Sequence, residues 1–164
     1  MDFRPAQVAD VDAMLPMIEQ TSRFHAQLDP ARFATRDGFL PGYGRWVRGL
    51  IGSGRSAVFV AEHESKVVGF IIATIEQGIP IYVVHEFGYV HELWIKPTYR
   101  NEGVARQLVT LVIERFAELK VSQIRLEIAA GNDAALGLFE SAGFRLTTRE
   151  MLMELPGGVI GSCS

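Results

Sequence analysis

The chain has 164 residues, of which 48% are hydrophobic and 21% charged, the composition of one globular domain with room for a sizeable core. A formal charge of -3 argues against a general nucleic-acid binder, which needs a basic excess to displace counterions. The single cysteine, Cys163, excludes an internal disulfide and reads as a reducing, cytoplasmic compartment.

Phe3–Ala6 reads as a short first strand. Val11, Met14, Leu15 and Ile18 follow helical spacing, with Asp10 as the expected N-cap and Pro16 as an expected kink off the apolar stripe. Phe24–Phe39 is irregular, rich in aromatic and charged residues. Trp46, Val47, Leu50 and Ile51 mark a second short helix ended by Gly52 and Gly54. The period then changes: Ser56–Glu62 and Lys66–Glu76 read as a hairpin turning at His63–Ser65. Ile79–Val84 suits an extra strand or a loop, and Gly88–Ile95 is a further strand. Val104, Leu108, Leu111, Val112 and Leu119 mark an amphipathic helix. Ile124, Leu126 and Ile128 alternate with polar residues as a strand does. Asn132–Ala142 is a helix stopped by Gly143, and Arg145–Leu155 reads as a last strand. One domain over 1–155 is expected, with a flexible tail over 156–164 that carries Cys163 with no base beside it. Nothing after Met1 reads as a signal peptide, and the longest apolar stretch, Val67–Ala73, is too short to span a bilayer, so no membrane partner is expected. His25, His63, His85 and His91 lack metal-ligand spacing, so no metal is expected.

The segment His91–Arg106, HELWIKPTYRNEGVAR, is the most informative. Pro97 ends the strand because it cannot donate to a ladder. Arg100-x-x-Gly103-x-Ala105 then opens a helix, whose first turn offers unpaired N–H groups and the positive end of the dipole to an anion. Gly103 lets a phosphate approach the backbone, Ala105 is nearly as small, and Arg100 adds a cation. The same pattern serves simple chain reversal in many proteins, and neither a Walker loop nor GxGxxG is present.

RNEGVA after a strand ending in hydrophobic-x-Pro, followed by Leu126-Glu127-Ile128…Asn132-x-x-Ala135-x-x-Leu138-Phe139-x-x-x-Gly143-Phe144, resembles the GNAT acetyltransferases. The resemblance covers Tyr89–Phe144 and implies an α/β fold: a mixed, mostly antiparallel sheet of six to seven strands with splayed central strands, flanked by about four helices. It implies N-acetyl transfer from acetyl-CoA to a primary amine, small molecule or protein N-terminus or lysine, with no nucleic acid, and it admits a homodimer. Carried over, the backbone of Leu93, Trp94 and Ile95 pairs with the pantetheine arm, Asn101, Glu102, Gly103, Val104, Ala105 and Arg106 line the pyrophosphate beside Arg100, and Asn132 meets the amide and thioester end. Asn132 is equally a helix N-cap. Phe139 stands where many members place a tyrosine that protonates the thiolate, and phenylalanine has no such proton; Tyr99 and Ser141 lie nearby in sequence. The candidate bases are Glu92, Glu127 and His91, since an ammonium acceptor must lose a proton before it attacks. Phe24–Phe39 and Ile79–Glu86 are expected to shape the acceptor site, with Asp29 and Asp37 suited to a cation. A non-catalytic acyl-CoA sensor is the alternative, which Phe139 favours; a binder of another phosphorylated ligand rests on Gly103 and the helix start alone.

Overall fold

The computed structural model describes residues 1–158, so Cys163 and the end of the expected tail lie outside the described residues. Strands β1 (Asp2–Pro5), β2 (Ser56–His63), β3 (Lys66–Gln77), β4 (Glu86–Ile95) and β5 (Ile124–Leu126) form one sheet in that order. The first three junctions are antiparallel and β4–β5 is parallel. Helices α1 (Val11–Leu28), α2 (Pro30–Phe33) and α3 (Leu40–Leu50) lie between β1 and β2, α4 (Val104–Glu118) joins β4 to β5, and α5 (Asp133–Ser141) follows β5.

Period-two alternation splits the sheet residues between two apolar layers. Val58, Val60, Phe70 and Ile72 meet Met14, Met17 and Ile18 of α1 and Val47 of α3. Ala57, Ile71, Ala73 and Val90 meet Leu108, Val112 and Phe116 of α4. Gly88 makes the second layer close: a Cβ there would stand 2.5 Å from the Phe116 ring.

Several expectations need correction. Among the described residues the sheet has five strands, not six to seven, and five α-helices stand where about four were expected. Of the two forms expected for Ile79–Val84 it takes the loop: Ile81 is 80% and Val83 100% exposed, so its apolar residues have no layer to enter. Arg145–Leu155 has no ladder; Met151 and Met153 stand in solvent, and the polar run Thr147–Glu150 leaves no continuous apolar face to hold it to the sheet. Phe24–Phe39 is not irregular throughout, because the stripe of α1 continues through Thr21 to Leu28 and α2 follows at once. Asp10 is the N-cap residue of α1 as expected, but its carboxylate does not bond the first turn of that helix; it accepts from Gln7 N at 2.7 Å and from Arg4 at 2.7 and 2.9 Å, and the Arg4 pair holds it below the ordinary value. Pro16 lies within α1 on its exposed side.

Candidate active site

Two irregularities in β4 create the site. The first is a bulge. Ile72 of β3 pairs with Glu92 while the next residue, Ala73, pairs with Val90, so His91 is the extra residue. In a regular strand His91 and Glu92 would point to opposite faces. The bulge turns both towards α1 and α3: His91 meets Trp46 edge-on at 5.1 Å, and Glu92 accepts a hydrogen bond from the Tyr43 hydroxyl at 2.5 Å. The second is a splay. β5 pairs only with Gly88, Tyr89 and Val90, so β4 from His91 to Ile95 has β3 on one side and no strand on the other. Because the Lys96 N–H donates to Val68 of β3, alternation directs the N–H groups of Leu93 and Ile95 into the resulting wedge.

The wedge leads to the start of α4. Asn101 and Gly103 both take left-handed φ, +63° and +80°, and Gly103 is the N-cap residue. Its backbone faces open space, since a Cβ there would meet no atom within 4 Å. The first-turn N–H groups from Val104 to Arg106 have no partner within the helix, and bonding resumes with Gln107 donating to Gly103 O. A hollow of about 220 Å³ lined by Glu102, Gly103, Val104, Gln107, Met1 and Phe3 adjoins this turn. A larger one of about 470 Å³, between Ile51–Phe59 and the C-terminal half of α4, is remote from these groups. A pyrophosphate therefore fits the α4 turn by its free donors and open backbone, and an extended arm fits the wedge by its unpaired edge.

Other expected residues have partners of their own. The Arg100 guanidinium stacks 4.5 Å over the Trp94 ring and its Nε donates to Ile95 O at 3.0 Å, at the head of the wedge. Trp94 turns towards α1 and packs near Phe24, with rings 6.2 Å apart. Arg106 donates to Ser141 O at 3.1 Å and ties α4 to the end of α5. Asn132 caps α5, its Oδ1 accepting from Ala135 N at 3.2 Å, which leaves its amide hydrogens free to donate. Ala105 is half-buried against the α4 apolar layer, and Phe139 is buried, crossing the Phe144 ring edge-on at 5.3 Å. Asp29 caps α2 through Ala31 N and Arg32 N.

The three base candidates separate. Burial pushes the Glu92 carboxyl up to about 7, against a smaller opposite effect of the Tyr43 hydrogen bond. His91 Nε2 lies 2.7 Å from Thr74 Oγ1 and 3.4 Å from Glu76 Oε1, and burial lowers its pKa. Glu127 stands apart, 68% exposed, 3.6 Å from Arg32 of α2, which also pairs with Glu150 at 2.6 Å. Tyr89 is held un-ionised by burial and then by the Glu127 charge. Tyr43, Thr74, Glu76 and Arg32 escape a reading of sequence. Only the i, i+3 spacing of Tyr43 and Trp46 hints that one face of α3 is aromatic, and nothing local points it at β4.

Residues 21–144 match the family model described as the acetyltransferase (GNAT) family. N-alpha-acetyltransferase 30 of Saccharomyces cerevisiae is 39% identical over 57 residues, 35% of this chain and 32% of the relative, so the match spans about a third of that protein's length. An uncharacterized N-acetyltransferase of Archaeoglobus fulgidus is 26% identical over 145 residues, 88% of this chain and 93% of the relative. Among solved structures, a mutant of the BH1408 protein of Bacillus halodurans superposes with a TM-score of 0.83 at 22% identity, over 94% of this chain and 99% of that one. That likeness is one of fold.

Proposed function

Since the chain belongs to the GNAT acetyltransferase family, we propose that it transfers an acetyl group from acetyl-CoA to a primary amine by direct attack. The observation that carries this is the half-free strand: the wedge edge of β4 runs into the open turn of α4 while Glu92, desolvated, sits on the face towards α3. Gly103 and the N–H groups of Val104 to Arg106 hold the pyrophosphate, and the N–H groups of Leu93 and Ile95 pair with the arm, the Trp94 backbone being turned to β3. When bound, acetyl-CoA supplies the acyl carbonyl and a thiol leaving group. Glu92 takes a proton from the acceptor's ammonium, freeing the lone pair that forms the new C–N bond. The Leu93 N–H meets the charge that gathers on the acyl oxygen. The nitrogen sheds a second proton once the C–N bond has formed and keeps its third as the amide N–H; of the two released, one leaves on the thiol and one passes from Glu92 to solvent, so the sum is ammonium plus thioester to amide, thiol and one proton.

A terminal α-amine is the acceptor class favoured. Its ordinary pKa of about 7.7–8.0 lies about one unit above Glu92, so proton transfer is uphill by about 1.4 kcal/mol, against roughly 4–5 kcal/mol for a lysine at about 10.4. The name of the yeast relative points the same way.

The test is direct. Acetyl-CoA at a hundredfold excess over its Kd is expected to raise the melting temperature by roughly 5–10 °C. Gly103→Glu, which puts bulk and negative charge into the open turn, abolishes the shift. Thiol release is then followed with peptides bearing a free N-terminus, polyamines and aminoglycosides. No shift at millimolar acetyl-CoA sinks the coenzyme reading; a shift without turnover of any amine leaves the non-catalytic binding module that Phe139 favours.

A further inference from the structure

We propose that Tyr43 is a positioning residue for this reaction, holding the Glu92 carboxylate by one oxygen so that the other faces the acceptor's ammonium. The inference rests on Glu92 as the base. Tyr43 Oη donates to Glu92 Oε2 at 2.5 Å across 49 residues of sequence. Glu92 Oε1 has no donor among the described residues and is the oxygen left for the acceptor.

The Tyr43 ring is itself fixed. It meets Trp46 edge-on at 5.1 Å and Phe39 at 6.4 Å, and α3 is anchored to the sheet through fully buried Val47. A base whose rotamer is locked by a hydrogen bond from a packed ring is pre-organised for proton transfer. Glu92 needs such a partner because the bulge delivers it to an apolar neighbourhood, opposite Ile72 and beside Trp94. The titratable groups on the elements packed about it are His91 and Tyr89 on β4, Glu76 on β3, Tyr43 on α3 and His25 on α1. Of these, Tyr43 alone bonds the Glu92 carboxyl among the described residues, and its donation favours the charged form against desolvation. Burial and the facing carboxylate in turn hold the Tyr43 hydroxyl protonated, so it stays a donor throughout the working range.

The experiment reads Glu92 without needing an acceptor. Protein labelled with 13C-glutamate is titrated by NMR, and the Glu92 carboxyl is assigned by its loss in Glu92→Gln. The native midpoint is expected near pH 7. In Tyr43→Phe it moves up by about one pH unit, a tenfold change in the ionisation equilibrium, because the bond that favours the carboxylate is gone. Protein made with 3-fluorotyrosine keeps every ring and has a stronger donor at position 43, so its midpoint moves down; this measurement decides if Tyr43→Phe folds poorly. With an active amine, the acid limb of kcat/KM in Tyr43→Phe moves up likewise and the rate recovers at higher pH. A Glu92 midpoint unchanged in both variants overturns the inference, as does a Tyr43→Phe rate loss that is uniform across pH. Failure of the base reading shows separately, as a Glu92→Gln enzyme with native rate at pH 7.

Discussion

A carboxyl group with its ordinary pKa of about 4.3 is too weak a base to deprotonate an ammonium well, and burial raises Glu92 towards that task. The proposed reaction needs Glu92 ionised, so the rate is expected to climb as pH passes through about 7 and to level above it. Glu92→Gln removes that limb and lowers the rate by about 10²–10⁴-fold near neutrality; the loss shrinks as pH approaches the amine's own pKa, where free amine needs no base. A pH–rate series on both proteins checks this, and a deficit constant with pH would mean Glu92 only positions the acceptor. Phe139 gives a second residue-level expectation. Its ring is 6% exposed and packed on Phe144. Phe139→Tyr sets a hydroxyl among apolar neighbours and should cost about 1–3 kcal/mol, read from denaturant unfolding. Glu92, His91 and Gly103 could be singled out in the sequence because they lie in one short stretch, the end of a strand and the turn that follows it. Tyr43 was not legible, because its meaning depends on a helix 49 residues away docking on that strand.

At the level of elements, β4 does most to define the site. Its first half is clamped between β3 and β5, and its second half is clamped on one side only. Gly88 belongs to the clamped half, where Phe116 of α4 fills the place of a side chain. Gly88→Ala must displace that ring or the strand, and overpacking of this kind costs about 1–3 kcal/mol. Chemical unfolding measures the loss; a cost below a few tenths of a kcal/mol would show that α4 gives way easily. The amphipathic helices and the β2–β3 hairpin were readable because their periods, 3.6 and 2, repeat over many residues. Arg145–Leu155 misled for the converse reason: β-prone composition does not make a strand unless one face has something to cover. The bulge at His91 leaves no trace in the hydrophobic pattern, since neither His91 nor Glu92 is apolar, and so the convergence of the two side chains was invisible beforehand.

The whole molecule carries the cost of burying the Glu92 carboxyl. Folding lifts the Glu92 pKa from its unfolded value near 4.3 to about 7, so the native state binds the proton more tightly than the unfolded chain. Stability from this group is fully present below about pH 4 and is lost as pH rises through 7, to a total on the order of 3 kcal/mol. Glu92→Gln has no such titration. Its melting temperature relative to the native protein should therefore be higher at pH 8 than at pH 5, and parallel melting curves across that range would refute a raised pKa. The two-layer architecture was foreseeable from element order; the strand count was not, because the last expected strand finds no partner in the described residues.

A strand edge with unpaired N–H and C=O groups is a hazard at the rim of a sheet, where any other sheet can dock on it and start aggregation. The free edge of β4 is only half a strand, because β5 covers the part before His91. It lies between β3 and the position β5 would occupy had pairing continued past Val90, with the start of α4 at its far end. So short an edge, with β5 at one end and α4 at the other, gives a second sheet few groups to pair with and suits a single thin chain. The same splay that exposes the backbone thus favours a visitor one strand wide, which is the width of the arm proposed to lie there, over a whole sheet.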